Sequence, residues 1–217
     1  MDKIKLLTGK NPKEYESVAT EIINNADVAL FKELVARDDY LFDFVKANVA
    51  KRLEKVCNKD NYKSLLKFLD IYSPYYEDFI ASTLALFADK DVENTMLEKL
   101  KNGSEDAKIY SAGFFSYKKD DRALALLNEY AFSDDGSLSE NCARALSKLN
   151  SKTAYNKAIK MLEVDDDFEQ LKAVNFLVAY QDKDALKYLF KAMKNSKMSE
   201  NIAEDIPYLV PLTDLLQ

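Results

Sequence analysis

An alanine followed three positions later by a large apolar residue recurs seven times along this chain of 217 residues. The alanines are separated by 31, 31, 31, 31, 30 and 30 residues. They are Ala19, Ala50, Ala81, Ala112, Ala143, Ala173 and Ala203, and their apolar partners are Ile22, Leu53, Leu84, Phe115, Leu146, Phe176 and Ile206. A period of this length is typical of stacked units that cannot bury their apolar faces alone. The repeat therefore predicts an array in which each unit packs on its neighbours.

A second column of residues, eight positions before each alanine, predicts where helices begin. Its members are Asn11, Phe42, Ser73, Ser104, Asp135, Asp165 and Asn195. Six of the seven carry a side-chain oxygen that can accept a hydrogen bond from the unpaired N–H groups of a first helical turn. Phe42 cannot do so, and we expect its helix to begin earlier, near Asp38 or Asp39.

Apolar pairs lie fifteen and sixteen positions after the alanines and predict a second set of helices between those of the first. The pairs are Leu34-Val35, Leu65-Leu66, Met96-Leu97, Leu126-Leu127 (after a one-residue deletion), Ala158-Ile159 and Tyr188-Leu189. Only four glycines and four prolines interrupt the chain, and no alternating strand pattern competes. We expect an all-α fold of about seven two-helix repeats of 30–31 residues, in one domain spanning residues 1–217. Residues 1–10 are expected to form a capping stub, and residues 198–217 an atypical capping helix.

Ala-x-x-Leu on one helix, a short acidic turn and Leu-Leu on the next helix together resemble a known family, the short bacterial HEAT-like repeat of the phycobilin-lyase type. The segments 104–133 and 135–164 are the closest copies. The resemblance implies a right-handed α-α superhelix, an ARM-type solenoid whose second helices line a concave surface. Such surfaces commonly hold a protein partner. The arginine that the family usually carries four positions before the alanine is absent here.

Composition excludes several classes of function. The chain has no histidine, which excludes a histidine base and a histidine-ligated metal. A net charge of -6 disfavours nucleic acid as a partner. Neither a spanning apolar run nor a secretory signal is found, and Cys57 and Cys142 are too few for a disulfide framework. We expect a cytoplasmic protein without a cofactor and without a membrane partner.

Three runs of aspartate could suggest calcium binding. They are Asp120-Asp121, Asp134-Asp135 and Asp165-Asp166-Asp167. All three fall at repeat boundaries, where helix caps and first-turn acids belong, and none has the spacing of an EF-hand loop. We therefore expect caps and no metal site.

One helix face carries large apolar residues in the third and fourth repeats, although the first two repeats are polar at the same positions. The residues are Phe79, Leu86, Tyr110, Phe114 and Tyr117. One interpretation makes them an aromatic patch that anchors a partner, with Arg52 and Lys55 as a basic rim. The other is that they pack between adjacent helices. The residues alone do not decide between the two.

These observations lead us to expect a non-enzymatic scaffold or adaptor that binds a protein partner along its concave surface. The alternative is a HEAT-like enzyme or small-ligand carrier, lyase-like or DNA-glycosylase-like, that uses an aromatic pocket. An open groove would favour the adaptor, whereas a closed aromatic cavity with a buried acid or lysine would favour the ligand carrier.

Overall fold

A computed structural model describes residues 2–195 of the chain, with side chains through residue 193. These residues form α-helices and short 3₁₀-helices and include no β-strand, so the all-α prediction is confirmed. The α-helices are α1 (Lys3–Thr8), α2 (Pro12–Asn24), α3 (Val28–Val35), α4 (Asp43–Val56), α5 (Glu77–Phe87), α6 (Lys90–Asn102), α7 (Glu105–Tyr117), α8 (Leu124–Tyr130), α9 (Gly136–Lys148), α10 (Lys152–Met161), α11 (Asp167–Tyr180) and α12 (Leu186–Asn195). The 3₁₀-helices in the same part of the chain are Asp38–Tyr40, Tyr62–Lys67, Asp121–Ala123 and Lys183–Ala185.

The alanine column lies on α2, α4, α5, α7, α9 and α11, which we call the second helices. Every described alanine of the column except Ala50 is buried, and the apolar residue three positions later is buried in all six helices. Residues three apart share one face of a helix, so this column forms the inward stripe of each second helix. The seventh copy, Ala203 with Ile206, and the expected capping helix 198–217 lie outside the described residues.

The apolar pairs of the other column lie on α3, α6, α8, α10 and α12, with one exception. Leu65-Leu66 falls in the 3₁₀-helix Tyr62–Lys67. The Asn61 side chain just before it accepts a hydrogen bond from the Asn58 backbone N–H at 2.8 Å and donates one to the Val56 carbonyl at 2.9 Å. Local bonds of this kind compete with a regular helical start.

Three of the predicted helix starts are confirmed. The side chains of Asn11, Ser104 and Asp135 cap α2, α7 and α9, and each accepts a hydrogen bond from a backbone N–H of the first turn. The aspartate runs supply caps as well, since Asp120 caps the 3₁₀-helix Asp121–Ala123. Asp166, and not the predicted Asp165, caps α11.

Two further starts also differ from the prediction. The helix that contains Val49 does not begin near Asp38; Asp38 opens a separate 3₁₀-helix, and extended backbone at Leu41 precedes α4. Ser73 does not cap α5, because the helix begins only at Glu77. The Ser73 hydroxyl donates to Asp38 Oδ2 at 2.7 Å and accepts from the Tyr75 backbone N–H at 3.3 Å. Neither α4 nor α5 has a side-chain cap, and Asp38 and Ser73 bond to one another across the chain.

The contacts of the chain divide it into two compact units, Met1–Lys118 and a second that starts at Lys119. In the first unit α2 packs on α4, α4 on α5 and α5 on α7, while α6 packs on α7. In the second unit α9 packs on α11, α8 on α9 and α10 on α11. Within each unit, successive second helices are therefore neighbours.

The two aspartates at the start of α11 test the cap assignment. Asp166 Oδ1 accepts hydrogen bonds from the backbone N–H groups of Phe168 and Glu169, both at 3.0 Å. We expect Asp166→Ala to lower the free energy of unfolding by about 1 kcal/mol, because it leaves two N–H groups without this acceptor. The matched variant Asp165→Ala should change it by less than about 0.5 kcal/mol. Urea unfolding of both variants measures the difference, and equal losses would refute the assignment.

Candidate functional site

The structure corrects the predicted aromatic patch. Phe79, Tyr110 and Phe114 are buried in the first unit, and the Tyr110 hydroxyl donates a hydrogen bond to the Ile71 carbonyl at 3.1 Å. They lie where α5 and α7 pack together, so these helices bury a second stripe beside the alanine column. A partner cannot reach these three side chains, and the prediction of an anchoring patch is wrong for them.

Two members of the predicted patch do reach the surface. Leu86, near the end of α5, and Tyr117, at the end of α7, are exposed, and the Tyr117 hydroxyl donates a hydrogen bond to the Asp78 carboxylate. Because the other three residues are buried, Leu86 and Tyr117 alone do not form the predicted five-residue patch.

Arg52 and Lys55 do not form the predicted basic rim. The Arg52 guanidinium donates to the Leu7 carbonyl, and its Cζ lies 4.0 Å from the centre of the Tyr15 ring. Lys55 Nζ lies 2.7 Å from Glu16 Oε1. Arg52 therefore connects α4 to α1 and α2, and Lys55 connects α4 to α2, so their charge is used within the first unit.

The most exposed aromatic side chains in the described part of the chain lie elsewhere. Tyr40, Phe42 and Phe44, which we call the aromatic surface, are 86%, 75% and 68% exposed. The rings of Phe42 and Phe44 stack with their centres 5.9 Å apart and their planes at 13°. They span the link between a 3₁₀-helix and the first turn of α4. From the sequence, we considered Phe42 only as a position that lacks a cap. The available signal was that this position is aromatic here and polar in the other six copies.

A partly buried hydrogen-bond network holds one side of the link between the 3₁₀-helix and α4. Asp38 accepts hydrogen bonds from the hydroxyls of Ser73, at 2.7 Å, and Tyr76, at 3.5 Å. Both donors are buried in the turn before α5. Burial raises the pKa of Asp38 above its ordinary value, although the bonds from Ser73 and Tyr76 and the charge of Lys46 act in the opposite direction.

A second carboxylate holds the other side. Asp43 Oδ1 accepts a hydrogen bond from the Tyr75 hydroxyl at 3.2 Å and lies 3.0 Å from Lys46 Nζ. That ammonium is buried and lies 3.6 Å from the centre of the Tyr75 ring. The hydrogen bond from Lys46 and then that from Tyr75 lower the pKa of Asp43. We call Asp38 and Asp43 the carboxylate clamp, because together they tie the link to residues 73–76.

The cysteines and acidic residues of the described chain were candidates for nucleophilic and metal chemistry. Both cysteines are free thiols, and burial raises their pKa values, that of Cys57 to about 12, so neither is a nucleophile near neutral pH. Among residues 2–195, no cluster of three or more cysteine and acid side chains could hold a metal ion. In the same range, no helix is long and apolar enough to cross a membrane.

Three depressions on the described surface could receive a small molecule. One of about 330 Å³ includes Ile159, Gln170 and Tyr188, one of about 440 Å³ includes Asn24, Asn61 and Ser64, and one of about 530 Å³ includes Glu140, Arg144 and Asn175. None of the three is lined by Phe79, Tyr110 or Phe114. The aromatic residues that were candidates for a ligand pocket thus fill space within the first unit and do not line these depressions.

Comparison with known proteins adds no relative: no family model matches the chain, and no curated protein matches it.

Substitution of two neighbouring aromatics on α7 separates core from surface. We expect Phe114→Ser to lower the free energy of unfolding by about 3–5 kcal/mol, since it opens a cavity and buries a hydroxyl. Tyr117→Ser should cost less than about 1 kcal/mol, because that ring is exposed. Thermal and urea unfolding measure both, and a Phe114→Ser variant as stable as the wild type would restore the anchoring interpretation.

The hydrogen bonds of the carboxylate clamp predict that the free energy of unfolding depends on an acceptor side chain at position 38. Asp38→Ala leaves two buried hydroxyls without their acceptor and should cost about 1–3 kcal/mol. Asp38→Asn keeps an acceptor oxygen and should cost less than Asp38→Ala. Urea unfolding of both variants measures the difference.

Because the pKa of Asp38 is raised in the folded state, its stabilising contribution is present at low pH and is lost as the pH rises through that pKa. Stability of the wild type relative to Asp38→Asn should therefore fall as the pH rises from the acid range to neutrality, and urea unfolding at several pH values measures this difference.

Proposed function

We propose that this chain is a non-enzymatic adaptor that binds a partner protein, and that the aromatic surface is its main docking site. The exposure of Tyr40, Phe42 and Phe44 carries the proposal. Three side chains of this size present on the order of 400 Å² of exposed area, as much as the largest patch of a typical monomer. Tyrosine and phenylalanine of this kind are enriched at interfaces, where they serve as rigid anchors.

The carboxylate clamp supports binding at this surface. Asp38 and Asp43 tie both ends of the link to the turn at residues 73–76, so the aromatic side chains start from a fixed backbone. A surface that is ordered before binding loses less conformational entropy when a partner arrives. The proposal therefore places recognition on a preformed site.

The wider architecture that we propose is a HEAT-like, right-handed α-α superhelix of about seven repeats in the cytoplasm. The period of the alanine column and the packing of successive second helices within each unit support it. In that arrangement the second helices line a concave surface, on which Leu86 and Tyr117 offer further contacts to a partner. The enzyme and ligand-carrier alternatives lack a supporting observation, since the candidate pocket residues Phe79, Tyr110 and Phe114 are buried.

Affinity capture from a lysate of the source cells tests this function. We expect a partner that binds the wild type to be lost from the double variant Phe42→Ser, Phe44→Ser. The matched control is Phe168→Ser, which removes an aromatic ring that is 58% exposed in the second unit. This control should retain the partner, and circular dichroism should show that both variants are folded. Retention of every partner by the folded double variant would refute the docking site.

A further inference from the structure

The charged side chains within the segment that carries the aromatic surface, residues 38–45, are all acidic. Asp39 is exposed, and the side chain of Asp43 is 84% exposed although one of its oxygens is hydrogen-bonded. No lysine or arginine occurs from residue 38 to residue 45. Charge of one sign beside apolar rings selects partners that carry the opposite sign.

The cations that flank this segment are already paired. Arg37 lies 2.9 Å from Asp2 Oδ2 and 2.5 Å from Glu33 Oε1. Lys46 is buried against Tyr75 and Asp43, with only 6% of its side chain exposed. Neither cation therefore offers a free positive charge to a partner. Lys46 compensates part of the charge of Asp43, but most of the Asp43 side chain and the Asp39 side chain remain exposed to a partner.

From this arrangement we infer that the partner presents a short segment in which apolar side chains are flanked by lysine or arginine. The inference rests on the proposed function and names the chemistry of the segment that the aromatic surface binds. Its apolar side chains cover the rings of Phe42 and Phe44, and its cations face Asp39 and Asp43. Arginine suits this site best, because a guanidinium can stack on an aromatic ring and pair with a carboxylate.

Charge also argues against a second copy of the chain as the occupant. Each copy carries a net charge of -6, so two copies repel one another. The same charge disfavours a nucleic acid. A basic, apolar segment of another protein satisfies both the rings and the carboxylates.

Selection from a library of random peptides displayed on phage, with the full-length chain as bait at about 0.1 M salt, tests the inference. We expect enriched peptides to combine aromatic or aliphatic residues with lysine and arginine in excess over acids. A synthetic copy of an enriched peptide should bind the double variant Phe42→Ser, Phe44→Ser at least about 30-fold more weakly than the wild type. Asp39→Lys should weaken binding about fivefold, and added salt should weaken it further.

The matched charge control is Asp60→Lys. It makes the same change in net charge at an exposed site beyond the far end of α4, a helix of 14 residues. A helix of that length places Asp60 about 20 Å from the aromatic surface, beyond the reach of charge screened by salt. Equal weakening by Asp39→Lys and Asp60→Lys would overturn the inference, because only the net charge would then matter.

The remaining outcomes separate this inference from the proposed function. Enriched peptides that need Phe42 and Phe44 but carry no excess of basic residues would overturn the inference and leave the docking site intact. The absence of any enriched peptide would overturn the inference, and the docking site would then depend on the capture experiment. Light scattering that shows dimers of the wild type and monomers of the double variant would also overturn it, with a second copy as the occupant.

Discussion

The packing of one second helix on the next is the interaction on which the rest of the first unit depends. A single helical hairpin cannot bury its apolar face, so α5 and α7 cover one another with more than the alanine column. Phe79, Tyr110 and Phe114 are buried for this reason. Their aromatic rings occupy positions that would carry polar residues if this face of the helix were exposed to solvent. The Tyr110 hydroxyl, although buried, donates a hydrogen bond to the Ile71 carbonyl. This burial accounts for the apolar residues at these positions in the third and fourth repeats.

The same burial shows how far the sequence could predict the structure. The alanine column and the caps Asn11, Ser104 and Asp135 were predictable, because each depends on residues within one helical turn or on one helical face. Side chains that bond across elements were not predictable in this way. Ser73 has the chemistry of a cap, yet its hydroxyl donates to Asp38, which is 35 positions earlier in the chain. Periodicity locates a residue on a helix face, but only the neighbouring helix decides whether that face is buried.

The candidate site illustrates the same limit. In the sequence, the site was indicated by Phe42, an aromatic residue in a column of polar ones. We interpreted Phe42 as evidence that α4 begins earlier, and not as an exposed aromatic side chain. The structure begins α4 directly after Phe42 and leaves the ring exposed. Nothing within the segment indicated that Asp38 and Asp43 would both be held by residues 73–76. Contacts across thirty or more residues were needed to turn three neighbouring aromatics into one ordered surface.

A break in a repeat is more informative than the repeat itself. Asp135 lies in the column of predicted caps, and its side chain does cap α9, so folding alone explains this residue. At Phe42 the local rule fails: the helix start lacks a side-chain cap, and a large ring is exposed. Folding gains nothing from an exposed phenylalanine, and the buried ammonium of Lys46 and the buried hydroxyl of Tyr76 are further costs of the network that orders the segment. An exposed ring pair beside a partly buried network is therefore not explained by folding alone, and it is the reason that we propose this segment as the docking site.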